Sequence, residues 1–389
     1  MLKTKQSTIL WGRVWALAGL QGAITLAWII YNAYLPKLLT DLGLPETLGI
    51  RLLIIENALA VVMEPLMGSL SDRYYVFVGS RFPVIGAGVI ASSALFIGIP
   101  AVVIFGNPTA FFQNLLIGVI IVWSLAMTVF RSPAIALLGR CASAVELPWA
   151  ASALTLVGGL IGSGRPLANS FLLSNFPPMG IFILGSILLL GAAIALRFVQ
   201  LTDSPIREPM RYQALSLLNI LVFISGLGIL VAWGTRFLFD AIARVAKSQL
   251  GDASVTGMMI VVGIVIAVLA LPMGKLATAI GNKIALLLGL ATAALGVAGL
   301  GLLPQLWPLW LLLAAPGFSL TVNSVIPHVL SLLPAYRAGL GIGSYFGGFS
   351  AAMALFTILF TGVNDLLTVG LAGAASLVTA AVCVKLVRA

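Results

Sequence analysis

Twelve apolar runs, each about twenty residues long, follow one another along the chain. That is the length a helix needs to cross about 30 Å of hydrocarbon. The first six are Val14–Pro36, Leu48–Leu70, Phe82–Phe105, Gln113–Leu138, Leu147–Leu173 and Met179–Val199. The second six are Ala214–Thr235, Ala253–Met273, Lys283–Leu303, Leu309–Leu333, Ala338–Gly362 and Leu366–Val387. Proline, glycine or charge bounds each one. Only 8% of the 389 residues are charged, against about 25% in a soluble domain. The exterior must therefore face the lipid bilayer, which excludes a cytosolic enzyme, a secreted disulfide scaffold and a disordered protein. The runs consume most of the chain and leave no room for an extramembrane domain.

The net charge is +10 (21 Lys and Arg less 11 Asp and Glu), but the basic residues do not cluster, so nucleic acid is not an expected partner. Cys141 and Cys383 lie far apart and imply neither a disulfide nor a metal framework. Lys3, Lys5 and Arg13 ahead of an apolar run imitate a signal peptide. The run is too long for one and lacks a small-residue cleavage site, so it reads as the first span.

Counting Lys and Arg by side orients the bundle. The face that holds both termini carries fourteen: Lys3, Lys5, Arg13, Arg73, Arg81, Arg140, Arg197, Arg207, Arg211, Lys275, Lys283, Arg337, Lys385 and Arg388. The opposite face carries five, namely Lys37, Arg51, Arg236, Arg244 and Lys247. The excess of positive charge places both termini in the cytoplasm, and a bacterial inner (plasma) membrane is the expected location, with the chain expected to be monomeric.

The most polar stretch, Gln200–Tyr212, follows the sixth run and suggests a duplicated chain. It divides an N-terminal six-helix bundle (1–199) from a C-terminal one (214–389) across a cytoplasmic linker (200–213). Met67-Gly68-x-Leu70 after the second run recurs as Met273-Gly274-x-Leu276 after the eighth, 206 residues on (274 − 68). The fourth and tenth runs share Thr-Val followed by proline (Thr128, Val129, Pro133; Thr321, Val322, Pro327).

Twelve spans in two halves resemble the major facilitator superfamily, and Gly68-Ser-Leu-Ser-Asp72-Arg73 resembles its signature loop between helices 2 and 3. The longer run from Glu64-Pro65 through Gly68, Ser71, Asp72, Arg73, Gly79, Arg81 and Pro83 is similar to the sugar–cation symporter branch. That branch comprises the glycoside–pentoside–hexuronide and the sucrose–proton symporters. Leu35-Pro36 and Leu42-Gly43-Leu44-Pro45 are similar to its sucrose members. Two features depart from the branch. A single Arg81 stands between Ser80 and Phe82 where it has a run of arginines, and Ile135 stands where sucrose members have an arginine, with Arg131 four residues earlier.

The resemblance implies a gating loop of Gly68, Asp72, Arg73, Gly79 and Arg81, in which Asp72 pairs with arginines and with the positive start of the eleventh span near Ala338. Gly68 would let two backbones approach closely.

Four ionisable residues fall within the spans, where charge faces a cavity or a partner. Glu64 and Arg131 lie six and seven residues from the ends of parallel spans, and so at similar depth. Glu56 and Arg165, each eight residues from the opposite face, form the second expected pair. A glutamate beside an arginine can switch protonation as the two separate. Glu64-Pro65-Leu66-Met67-Gly68 resembles the cation-site stretch of the melibiose permease branch, but Ala60 occupies the place of its second acid. Two acids one turn apart suit sodium and a single acid facing an arginine suits a proton, so protons are the expected coupling ion. Static braces remain the alternative.

The resemblance makes spans 1, 4, 7 and 10 the walls of the central pathway. Gln21, Thr25, Trp28 and Asn32, spaced 4, 3 and 4, form one stripe on span 1. A polar stripe with an aromatic suits a sugar. Ser124, Thr128 and Arg131 on span 4 join the candidate cavity, with Thr321, Ser324 and His328 on span 10. His328, the only histidine, is a candidate proton shuttle or a neutral hydrogen-bonding group. The glycines of span 11 match half of a nucleotide fingerprint, but no strand precedes them, and close helix packing accounts for them. No P-loop, HExxH or GxSxG occurs, and no cofactor is expected.

The chain therefore reads as an all-α membrane protein that moves a small polar solute, coupled to protons. Two alternatives stay open. One is a drug or metabolite exporter, whose branch has Gly-x-x-x-Gly-Pro on span 5, where this chain has Gly158-x-x-x-Gly162-Ser163 and then Pro166. The other is a facilitator-fold assembly factor that transports nothing.

Overall fold

Hydrocarbon offers the backbone no hydrogen-bond partners, so each apolar run has to satisfy its own N–H and C=O groups as a helix. The computed structural model describes residues 9–199, 217–360, 362 and 365–387, and among them every regular element is helical. The connector 200–213, with Arg207 and Arg211, lies outside the described residues, as do Lys3, Lys5 and Arg388.

In chain order the helices are α1 (Trp11–Asp41), α2 (Thr47–Val78), α3 (Phe82–Phe105), α4 (Ala110–Ala136), α5 (Leu147–Ser163), α6 (Arg165–Asn175) and α7 (Pro178–Val199). There follow α8 (Leu217–Leu250), α9 (Asp252–Ile280), α10 (Asn282–Leu302), α11 (Trp307–Leu332), α12 (Ala338–Leu359) and α13 (Leu366–Leu386). Among the described residues, eleven helical segments are long and apolar enough to cross a membrane. The remaining expected span is α2, whose 32 residues carry Arg51, Glu56, Glu64, Asp72 and Arg73. Three of those charges, Glu56, Glu64 and Asp72, are buried against other helices.

Two expected spans change shape. The fifth is broken at Gly164 into α5 and α6. Pro166 stands at the start of α6, where its missing N–H does no harm, whereas inside a continuous helix its ring would strike the carbonyl four residues earlier. The seventh was expected to end at Thr235, but α8 runs on to Leu250.

Helix α1 packs against α5, α6 and α7, α3 against α4 and α7, and α2 against α4. Among the later helices α8 packs on α12 and α13, α10 on α11 and α13, and α9 on α11. Two contacts join the earlier helices to the later ones most closely: α2 lies along α12, and α5 lies along α9. Small residues make both possible. A Cβ on Gly68 would strike the Gly339 carbonyl, and one on Gly343 would strike the Glu64 carbonyl. On the other seam a Cβ on Gly274 would come within 2.7 Å of Ser152, and one on Gly263 within 2.8 Å of Ser163. The Gly68–Gly339 and Gly274–Ser152 contacts lie toward the face where α2 ends and α12 begins and hold the earlier and later helices together there, while Gly263 and Ser163 continue the second seam away from that face.

Candidate functional site

The loop after α2 is built as a clasp. Gly79 caps the helix with φ +74°, and its N–H reaches the Tyr75 carbonyl at 2.9 Å. An L side chain is costly in that left-handed conformation. The turn folds Arg81 back beneath the helix, where it is 1% exposed. Its guanidinium is ion-paired to Asp72, donates to the Ala335 carbonyl at 3.1 Å and lies 4.7 Å from the centre of the Tyr75 ring. The other contacts of Asp72 are on α12. The Gly339 N–H donates to Oδ1 at 2.9 Å and the Leu340 N–H to Oδ2 at 2.8 Å. One carboxylate thus meets a guanidinium and two of the orphan donors at a helix start.

Not every expected member takes part. Arg73 is exposed, because one residue after Asp72 a helix has turned by about 100°. Arg140 reaches the same ring as Arg81, 5.1 Å from the centre of Tyr75.

Glu64 and Arg131 are in contact. Glu64 is fully buried, and its carboxylate is ion-paired to Arg131 and accepts the Ser132 hydroxyl. The guanidinium of Arg131 lies 4.5 Å from the centre of the Phe346 ring on α12, a cation–π contact. Since Gly343 also backs onto Glu64, the pair on α2 and α4 is closed over by α12. Sequence reasoning missed Ser132 and Phe346. Ser132 directly follows Arg131, which is a weak signal, while nothing in the sequence marks Phe346.

The second expected pair does not form. Glu56 is 3% exposed and accepts the phenolic O–H of Tyr31 on α1. Arg165 is exposed at the α5–α6 break. Depth alone suggested the pairing. Tyr31 of α1 is the partner that tertiary packing brings to Glu56 instead.

The stripe on α1 is half-buried along its length. The Thr25 hydroxyl donates to the Gln21 carbonyl at 2.9 Å and the Asn32 amide to the Trp28 carbonyl at 2.7 Å. Gln21 Oε1 is buried without a partner. Gly158 of α5 faces Gln21 and Thr25, at 3.5 and 3.7 Å from a Cβ it lacks. Trp28 joins an aromatic cluster, with centroids 5.8 Å from Tyr31 and 4.9 Å from Trp123. Thr128 is buried and spends its hydroxyl on the Leu125 carbonyl at 2.7 Å. His328 does not join the stripe. It sits one turn from the end of α11, toward the Asp72 face, whereas Gln21 is the stripe member nearest that face and lies ten residues into α1.

The sequence matches the family model described as Major Facilitator Superfamily over residues 17–357. No curated protein matches it in sequence. Among solved structures it is similar to a bacterial homologue of the iron transporter ferroportin in the outward-facing state. The TM-score is 0.72 at 14% identity, over 96% of this chain and 98% of that one. It is also similar to the human organic anion transporter MFSD10 (TETRAN), with a TM-score of 0.68, 14% identity and coverage of 96% and 99%. A third likeness is to the transporter FucP in the outward conformation, with a TM-score of 0.68, 10% identity and coverage of 95% and 97%. At such identities the likeness is one of fold.

Proposed function

The chain belongs to the major facilitator superfamily, and from that premise we propose that it is a proton-coupled secondary transporter of a small polar solute, working by alternating access. The two halves, 1–199 and 214–389, rock about the solute, and the Asp72 face, rich in Lys and Arg, is the cytoplasmic one. On this reading the α2–α12 contacts close the cytoplasmic face in the structure. A sugar or glycoside is the solute we favour, on the resemblance to the sugar–cation symporters and on the half-buried stripe of Gln21, Thr25, Trp28 and Asn32. The ring of Trp28 can stack on the C–H face of a sugar, and Gln21 holds an unspent acceptor.

One observation carries the coupling: a fully buried Glu64 held by Arg131 and Ser132 beneath α12. Adding a proton to Glu64 removes half of the ion pair and loosens Arg131. As α12 swings away from α2 it takes Phe346 from the guanidinium, admits water, and lets the carboxylate re-form. A sodium ion would need oxygens whose charge is not already answered by an arginine, and so fits this pair less well than a proton. Asp72 acts as the latch of the same movement, since opening the face strips it of both α12 amides. Uptake into proteoliposomes tests the reading. An inward proton gradient should drive accumulation of a labelled glycoside, and Glu64→Gln should lose that accumulation while retaining downhill exchange. Accumulation in Glu64→Gln equal to wild type rejects proton coupling through this residue.

A further inference from the structure

At the Asp72 face, between the ends of α4 and α11 and the starts of α5, α10 and α12, lies a cavity of about 230 Å³. Arg81 and Arg140 line it from the first half of the sequence, and Asn282, Lys283 and His328 from the second. No carboxylate is among the lining residues. None of the α1 stripe reaches it, so it is separate from the solute wall described above.

Its polar groups are unevenly spent. Arg81 is committed to Asp72 and Ala335. Lys283 donates once, to the Val387 carbonyl at 2.6 Å, and an ammonium has two further protons to give. His328 is 2% exposed, yet its Nε2 has no partner, and neither has Oδ1 of Asn282. Buried polar atoms are rarely left unmet. With its proton on Nε2, His328 is a donor, and an amide can present either end. Donors from both halves of the chain converge on one space, and its apolar walls strengthen any charge interaction within it.

We propose that this cavity binds a small anion bearing a carboxylate or phosphate group, and that the bound anion holds the Asp72 face shut. The cavity is smaller than the roughly 300–1,000 Å³ of drug-sized sites, which suits an oxyanion of a few heavy atoms rather than a glycoside. Because its donors come from both sides of the α2–α12 and α5–α9 seams, the ligand ties together parts that must separate for the face to open. An anion entering from this side therefore slows the transport cycle.

The test is thermal unfolding of the purified protein, titrated with inorganic phosphate and separately with acetate. Sodium chloride at matched ionic strength is the reference. The expected result is a saturable rise in Tm with at least one oxyanion and none with chloride. The oxyanion that acts identifies phosphate or carboxylate as the recognised group. Lys283→Gln and His328→Gln should each weaken the apparent affinity about tenfold or more. No saturable shift in the wild type, or a shift that both variants retain in full, overturns the proposal. Should the variants not fold, Ala144→Cys on the cavity lining, with Cys141 and Cys383 replaced by serine, answers instead. The oxyanion should slow its thiol labelling, and unchanged labelling overturns the site.

Discussion

Asp72 concentrates three interactions on two oxygens, and only one of them needs its charge. Asparagine in its place keeps an oxygen for one α12 amide but leaves Arg81, 1% exposed, without a counter-charge. Breaking a buried pair from one side typically costs about 3–5 kcal/mol. Moving a two-state equilibrium from 1:99 to 99:1 takes about 5.5 kcal/mol, so a loss of this size can unlatch the closed face. Asp72→Asn should therefore cut solute uptake more than tenfold in protein that still reaches the membrane folded; uptake at the wild-type rate would remove the latch role. Trp28 invites a finer test, because it packs on Tyr31 and Trp123 as well as belonging to the half-buried stripe. Trp28→Phe keeps most of that packing and loses stacking area worth about 1 kcal/mol, so solute affinity should fall about fivefold with little change in Tm. The reverse outcome would make Trp28 a packing residue. The sequence made Asp72, Gly79 and Arg81 legible because their spacing is a loop motif with its own local geometry. It hid Tyr31 and Ser132, since hydroxyls are scattered through every span and only tertiary contact selects the two that meet a carboxylate.

Helices were easier to read than their ends. Hydrocarbon thickness fixes the length of an apolar run, and α3 (Phe82–Phe105) coincides with its expected span. Hydropathy marks where a span leaves lipid, however, and not where the helix stops. Beyond Thr235, α8 continues through Arg236, Asp240, Arg244 and Lys247, where Arg244 meets Asp240 one turn back at 3.1 Å, a spacing that supports helix in water. The break at Gly164 escaped notice for the opposite reason, because Pro166 sits in a run whose average polarity hides a local backbone veto. Packing by glycine gives the element-scale prediction. Because a Cβ on Gly343 meets the Glu64 carbonyl, Gly343→Val should force α12 off α2 and open the Asp72 face. Ser71, fully buried beside this seam, can report it as Ser71→Cys after Cys141 and Cys383 are replaced by serine. Thiol labelling should be slow in the parent and at least tenfold faster with Gly343→Val. Equal labelling in the two would mean the seam tolerates a side chain and is not the closing contact.

At the scale of the molecule, the role proposed for the pair on α2 and α4 is to connect a proton to the movement of α12, and a double substitution separates that role from simple bracing. The depth match between Glu64 and Arg131 was legible in the sequence, because two spans running the same way share a coordinate along the membrane normal. That α12 covers the pair was not, since nothing local in a chain states which distant helix will lie on it. Arg131→Ala leaves a fully buried carboxylate with Ser132 as its remaining partner, and its cost should approach the upper part of the about 3–5 kcal/mol range for a broken buried pair. Glu64→Gln is gentler, because Arg131 is 21% exposed and keeps the Phe346 ring. Combining the two removes both charges, so the double variant should regain Tm relative to Arg131→Ala alone, a coupling that a double-mutant cycle reads directly. Transport divides the alternatives. If the pair is a static brace, nothing in it titrates during the cycle, and the double variant should recover gradient-driven accumulation along with its stability. If Glu64 carries the proton, stability returns, downhill exchange persists because the halves still rock, and accumulation against a gradient stays lost. Full accumulation by the double variant would therefore reject the coupling role and leave Glu64 and Arg131 as a structural salt bridge.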